Sequence, residues 1–312
     1  MPADAPPFNS VIIPVFNDPD GLRDTVDSLI AQDLSRDAYE IIIVDNGSTD
    51  ETWSVANRFA EEHGPLVSAV RESDIQGSYA ARNRGIEVAR GEVLCFLDAD
   101  MIAPGDYLRR VNKRFAESDV DYLACAVELK ATSDSASSIY NCVTGFPIAR
   151  YLERGHYAPT CCLCVRRRCI NDLGPFDARL ESGGDMEFGQ RVYDAGLKQQ
   201  FAPAIVLLHP ARSSFQALLS KQCRIARGHA QLSYYYPERY ALFLELYVRT
   251  TRYFAPANPV RLHARCQELE FDVGLFLPGL LGVFHIPLAW AGLAAYLREA
   301  RRLRLRDNEM SR

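Results

Sequence analysis

Hydrophobic and polar positions alternate between two periods along the first part of the chain. The run SVIIPV at 10–15 is β-branched and nearly continuous, as expected of a strand buried on both faces. A turn rich in Pro, Asn and Asp follows, and Leu22, Val26, Leu29 and Ile30 then recur at helical spacing. EIIIVD at 40–45 predicts a second strand. Ser48 with Glu51 three residues later predicts a capping box for a helix carrying Val55, Ala56 and Phe59, which Gly64 ends. LVSAV at 66–70 predicts a third strand, a helix is expected near 78–90, and VLCFL at 93–97 makes a fourth strand running into Asp98. Strands without a polar face, alternating with helices, imply an α/β protein with a mostly parallel sheet flanked by helices. Ligands of such sheets bind beyond the carboxyl ends of the strands, so the polar residues after 15, 44 and 97 come first.

The alternation loosens after residue 120, with apolar stretches at 120–127 and 160–165, a helical pattern near 185–196 and a strand-like AIVLLH at 204–209. A helix with Phe215, Leu218, Leu219 and Gln222 leads to the tyrosine-rich LSYYYPERY at 232–240. The catalytic domain is therefore expected over 1–230 and a C-terminal helical, apolar extension over 231–312. Residues 273–297 are uncharged apart from His285. As one helix they would reach roughly 37 Å, enough for a hydrocarbon core of about 30 Å. Arg298, Arg301, Arg302, Arg304, Arg306 and Arg312 outnumber Glu299, Asp307 and Glu309 behind that segment, a flank suited to an anionic cytoplasmic leaflet. The expectation is a peripheral or anchored position at the cytoplasmic face of a membrane. The competing reading is a pair of buried helices broken at Pro278 and Pro287, packed on the catalytic domain or on a second copy of the chain as a homo-oligomer.

Composition narrows the partners. The 312 residues are 48% hydrophobic, which excludes a disordered polymer. The formal charge of −5 gives no field that would gather nucleic acid. Nine cysteines and a start without a basic then apolar segment point to free thiols in a reducing, cytoplasmic setting. Cys161, Cys162, Cys164 and Cys169 lack paired Cys-x-x-Cys knuckles and read as small buried hydrophobes.

In FLDADM at 96–101, Asp98 and Asp100 sit one residue apart just past a strand end and point the same way from an extended backbone. Such a pair suits Mg²⁺ or Mn²⁺, although solvated turn aspartates look the same in isolation. Asp45 closes the second strand, where a carboxylate can accept from a base or a ribose hydroxyl. Pro14, Phe16 and Asn17 end the first strand, and an aromatic there can stack on a base.

PVFN at 14–17, VDNGSTDET at 44–52, ARNRGI at 81–86, FLDAD at 96–100 and GGDMEFGQRVYDAG at 183–196 occur in an order and spacing that resembles the family-2 inverting glycosyltransferases of the GT-A fold, over roughly residues 8–230. The resemblance implies a Rossmann-like nucleotide-binding half, a nucleotide-sugar donor, most commonly UDP-linked, a divalent metal, and inversion at the anomeric carbon of a sugar passed to a glycan or lipid-linked acceptor. By position, Asp45 looks like the base-reading residue with Pro14 and Phe16 beside it. Arg82 and Asn83 look like donor-site residues, Asp98 and Asp100 resemble the Asp-x-Asp pair, and His209 looks like a further metal ligand that would lean the site toward Mn²⁺. Asp185 resembles the general base, in a motif where Gly184 stands in place of the usual Glu. Glu187 is the alternative base, with Arg191 one turn on as its i,i+4 partner. Arg212, Lys221, Arg224 and Arg227 are candidate phosphate contacts, with surface solvation as the plain alternative, and Tyr234, Tyr235 and Tyr236 are candidates for stacking on a sugar.

Two other classes are weighed against this reading. A sugar nucleotidyltransferase needs a Gly-rich phosphate loop after the first strand, and PVFNDPDG does not supply one. A non-catalytic relative that only binds or scaffolds fits poorly with retention of Asp45, Asp98, Asp100 and Asp185, with Gly184 the one feature in its favour.

Overall fold

A computed structural model describes residues 9–248, 257–271 and 277–310. The elements in chain order are β1 (Asn9–Val15), α1 (Pro19–Ile30), β2 (Tyr39–Asp45), α2 (Thr52–His63), β3 (Val67–Arg71), α3 (Ser78–Val88), β4 (Val93–Phe96), α4 (Tyr107–Glu117) and β5 (Tyr122–Lys130). They continue with α5 (Ala136–Thr144), α6 (Ile148–Gly155), β6 (Leu163–Arg166), α7 (Arg167–Leu173), α8 (Gly184–Asp194) and β7 (Gln199–Pro210). The remainder is helical: α9 (Phe215–Tyr235), α10 (Pro237–Tyr240), α11 (Leu242–Val248), α12 (Pro259–Glu268) and α13 (Leu277–Met310).

The seven strands form one sheet in the order β3-β2-β1-β4-β6-β5-β7. The first four strands pair in parallel, with Val15 opposite Asp45 and Asp45 opposite Arg71, so the carboxyl ends of β1, β2 and β3 finish level. β6 then runs antiparallel to both β4 and β5. The apolar run expected at 160–165 is split, because Thr160–Cys162 forms a 3₁₀ turn before the strand proper starts at Leu163. Val11, Ile12, Ile13, Ile41, Ile42, Ile43, Val93, Leu94 and Phe96 are buried on both sides of the sheet, which is why β1, β2 and β4 read as continuous apolar runs. All nine cysteines are unpaired and eight are buried.

One local expectation is corrected, and the break at Pro287 in the competing reading of the C-terminal segment is not found. Ser48 does not cap α2: the Ncap is Glu51, with no side-chain cap bond, while Ser48 Oγ accepts from the Asn17 amide at 2.9 Å. The hydroxyl is spent on tying the β1–α1 loop to the β2–α2 loop. The chain also does not break at Pro287. α13 runs through it as one helix of 34 residues, so the proline costs one backbone bond without ending the helix. Of the segment expected over 273–297, residues 273–276 lie outside the described residues.

Two compact units are present. One comprises residues 1–128, 146–179 and 184–209, and the other 129–145, 180–183 and 210–312. Residue 230 falls inside α9. In the first unit α3 lies tightly on the sheet at Gly85, where a Cβ would stand 2.4 Å from Ile12 Cγ2 and 3.2 Å from Val44 Cγ2. In the second, α9 and α13 pack through Ala226, Ala230, Ala295 and Tyr296. Arg227 of α9 forms a two-bond pair with Glu181, and Gln231 accepts from the Glu181 amide while donating to Glu299.

Candidate active site

The loops after β1 and β2 are stitched together before any ligand is considered. Asn17 adopts a left-handed φ of 50°, and its Oδ1 accepts from the Thr49 amide at 2.8 Å. Asp18 donates its amide to Thr52 Oγ1 at 3.0 Å and caps α1 through Oδ1, which accepts from Gly21 at 3.0 Å. Phe16 is left 48% exposed at the end of β1. Beside it Asp45 is fully buried. Its Oδ1 accepts from the Ser48 amide at 3.3 Å, while Oδ2 makes no hydrogen bond and has the Arg71 Nε 3.5 Å away. Arg71 itself lies over the Trp53 ring at 4.1 Å. A buried carboxylate oxygen without a donor is costly unless a ligand completes it.

Asn46 shapes the next loop. Its Nδ2 donates to the Glu72 and Ile75 carbonyls and its Oδ1 accepts from Gly77, fixing the entry into α3. From that helix Arg82 extends, almost entirely buried, to Asp98 Oδ1 at 2.5 Å. Asn83, the neighbouring residue, has both ends of its amide on the backbone of Phe176, at 2.8 and 3.1 Å.

Asp98, Asp100 and His209 come together, with one ligand atom from each lying within 4.8 Å of the others. The carboxylates are half-buried and His209 is buried, its Nε2 3.7 Å from Asp100 Oδ1. A single backbone bridge explains how distant segments meet. Ile102 and Leu208 exchange both amide bonds, at 2.9 and 3.0 Å, two residues after Asp100 and one before His209. Two carboxylate oxygens and one imidazole nitrogen form a donor set suited to Mn²⁺ or Mg²⁺.

Asp185 lies in the first turn of α8, partly buried. Its Oδ1 accepts from the Met186 amide at 2.9 Å and from the Tyr79 hydroxyl at 3.2 Å, and the same hydroxyl accepts from the Asp185 amide at 3.2 Å. Burial, with a contribution from the Asp185 charge, pushes the Tyr122 and Tyr151 phenols up. Glu187 is buried and both its oxygens are taken by Arg191, at 2.9 and 2.8 Å. Arg191 also donates to the carbonyls of Gly174 and Pro175 just past α7. This i,i+4 pair therefore clamps α8 to the loop after α7. Among the candidate phosphate contacts, Arg227 is committed to Glu181, which raises its pKa further.

The sequence reading did not single out Tyr79, Arg71, Trp53 or Asn46 as functional. Tyr79 carried a usable signal, standing one helical turn before Arg82. The other three act through loop packing, which has no period in the sequence.

Comparison with known proteins fits this geometry. The sequence profile for glycosyl transferase family 2 matches residues 10–168. Glycosyltransferase AglE of Haloferax volcanii is 36% identical over 227 residues, 72% of this chain and 74% of that protein. A PGL/p-HBAD biosynthesis glycosyltransferase of Mycobacterium bovis is 31% identical over 191 residues, 61% of this chain and 71% of its own. Among solved structures, the mannosyltransferase PcManGT from Pyrobaculum calidifontis, in complex with GDP-Man and Mn²⁺, superposes with a TM-score of 0.62 at 22% identity, covering 95% of this chain and 88% of its own. S. aureus TarS 1–349 in complex with UDP-GlcNAc gives 0.55 at 16% identity, covering 96% and 92%. The parallel half of the sheet, the Asp-x-Asp pair after β4 and these relatives lead to one conclusion: the chain belongs to glycosyl transferase family 2.

Proposed function

We propose that this glycosyltransferase moves a sugar from a nucleoside diphosphate donor to a hydroxyl of a glycan or lipid-linked acceptor, with inversion at the anomeric carbon. The observation that carries the reading is the convergence of Asp98, Asp100 and His209 at the carboxyl end of β4, with the buried, incompletely bonded Asp45 at the carboxyl end of β2 in the same sheet. Asp45 takes the base or ribose, with Phe16 as the exposed stacking face, and Arg82 holds Asp98 in place. Asp98, Asp100 and His209 would hold Mn²⁺ or Mg²⁺. Bound there, a divalent cation supplies charge stabilisation to the departing diphosphate without needing a proton.

Asp185 acts as general base. The acceptor oxygen bonds to the anomeric carbon as its proton passes to Asp185, and the bond to the diphosphate oxygen breaks with its electron pair leaving on the nucleotide. Help of this kind is worth about 10²–10⁴ in rate. Glu187 is the poorer base because Arg191 occupies both of its oxygens. UDP is the first nucleotide to test, with GDP beside it because PcManGT binds GDP-Man.

The same reading places the protein at a membrane surface through α13. Leu280, Val283, Trp290 and Leu297 are exposed on one helical face, which Arg301 and Arg304 continue. Leu281, Leu288, Ala289 and Ala295 are buried, so the helix is spoken for on its other side, which favours lying on a bilayer over crossing it.

The deciding experiment is thermal stabilisation by UDP, GDP and dTDP, each with and without Mn²⁺. A metal-dependent shift with one nucleotide is expected, and no shift with any of them would leave the donor reading without support.

A further inference from the structure

We infer that Tyr79 is the positioning residue for Asp185, and that Gly184 is its steric counterpart. The inference rests on Asp185 being the base. The Tyr79 ring occupies the space a side chain at 184 would need: a Cβ there would meet Cε2, Cζ and Cδ2 of the ring at 2.8, 2.9 and 3.0 Å. Glycine at 184 and tyrosine at 79 therefore form one device.

Tyr79 is buried, with only 4% of the residue exposed. It packs on Phe176 at 5.7 Å between ring centroids, and Phe176 meets Phe96 and Phe188 at 5.3 and 4.8 Å. Held this way, the hydroxyl cannot follow Asp185 if the carboxylate turns. It both donates to Oδ1 and accepts from the Asp185 amide, which fixes the carboxylate to its own backbone. With Met186 also donating to Oδ1, two donors converge on one oxygen and set the plane of the carboxylate.

The hydroxyl has an electrostatic effect as well. A hydrogen bond to the ionised form favours it, and the Tyr79 hydroxyl donates one to the Asp185 carboxylate. Besides Tyr79 on α3, the Tyr122 phenol on β5 and the Tyr151 phenol on α6 feel the Asp185 charge, while Glu187 on the same helix is paired with Arg191. α3 also carries Arg82 one turn on, its guanidinium 5.7 Å from the Tyr79 ring and bonded to Asp98. One helix thus supports both the donor-side carboxylate and the base.

The test uses the full chain and two readouts. First, ¹³Cγ-aspartate NMR titration, with the Asp185 signal assigned from Asp185→Asn, should show Tyr79→Phe raising the Asp185 midpoint by about one pH unit. Second, hydrolysis of UDP-GlcNAc and GDP-mannose with Mn²⁺, water standing in for the acceptor, should show kcat falling about tenfold in Tyr79→Phe with KM for the donor within about twofold. Gly184→Ala should lower kcat in the native background and have no effect in Tyr79→Ala. An unmoved Asp185 midpoint with native kcat in Tyr79→Phe would overturn the inference, as would a Gly184→Ala effect that persists without the ring. If Asp185→Asn hydrolyses donor at the native rate, the base assignment itself is what fails.

Discussion

The guanidinium of Arg82 reaches Asp98 Oδ1 at 2.5 Å with only 4% of its side chain exposed, while Asp98 keeps 38%. Arg82 Nε finds no hydrogen-bond partner among the described residues, so Asp98 is the group that offsets a buried positive charge. Removing it should cost stability in the absence of any ligand. Asp98→Ala is expected to lower the unfolding free energy by about 1–3 kcal/mol. Asp100→Ala, which removes a carboxylate 3.7 Å from the His209 imidazole, should cost less than about 1 kcal/mol. Chemical denaturation in EDTA checks this, and equal losses would contradict the assignment of distinct roles to the two aspartates.

Metal dependence should follow His209 and Asp100. At about 100 times its dissociation constant, a nucleotide stabilises a fold by roughly 2.7 kcal/mol. The Mn²⁺-dependent part of that gain should vanish in Asp100→Ala and shrink in His209→Ala. Ile102→Pro removes an amide of the bridge that sets His209 beside the aspartates, and is expected to weaken Mn²⁺-dependent binding although it touches no ligand atom. Calorimetry with MnCl₂ and nucleotide measures all three.

The thiols set an alkaline limit. Burial pushes Cys169 from 9.0 up to about 12 and holds Cys95 well above its ordinary value. A hydrogen bond with Cys164 raises Cys125 and one with Cys161 raises Cys162, while Cys164 itself, despite burial, is drawn down by the hydrogen bonds it receives from Cys125, Cys95 and Tyr107. The alkaline limit therefore rests on Cys169. A thiol that keeps its proton when folded and loses it when unfolded contributes stability that is complete below about pH 9 and declines as pH rises toward about 12. Denaturation midpoints should therefore fall between pH 9 and pH 10.5. In native protein at pH 8, a thiol reagent should label Cys223 first, the one cysteine that is not buried. Rapid labelling of Cys169 would contradict the burial.

Membrane contact predicts a salt-dependent partition. The chain should float with vesicles containing phosphatidylglycerol and not with phosphatidylcholine alone. Arg301→Ala with Arg304→Ala removes about 2 kcal/mol of surface attraction, roughly a thirtyfold loss of partitioning. Vesicle binding that ignores both salt and these arginines would count against the basic face of α13.

Much of the catalytic half was legible because its strands carry no polar face. SVIIPV, EIIIVD and VLCFL could only be buried parallel strands, and their carboxyl ends located Phe16, Asp45, Asp98 and Asp100 in advance. His209 was legible from its place at the end of AIVLLH, yet the Ile102–Leu208 bridge that delivers it leaves no trace in local pattern. Ser48 misled because a hydroxyl three residues before an acid signals a cap, and a partner distant in sequence, Asn17, competed for it successfully. The break at Pro287 belonged only to the competing two-helix reading, and the helix absorbs the proline. Tyr79 stayed hidden because its meaning depends on an absent side chain at 184, and absences acquire sense only once the neighbouring ring is seen.

Gly85 makes α3 a shared datum. Because a Cβ at that position would strike Ile12 and Val44, even Gly85→Ala must lift the helix off the sheet, at about 1–3 kcal/mol. Tyr79 and Arg82 would travel with it as a rigid pair, so errors in seating the donor and in aiming the base would be correlated, never independent. Substitutions that change one of these tasks alone should accordingly be sought at Asp98 or Asp185, and those that drift both together at the underside of α3.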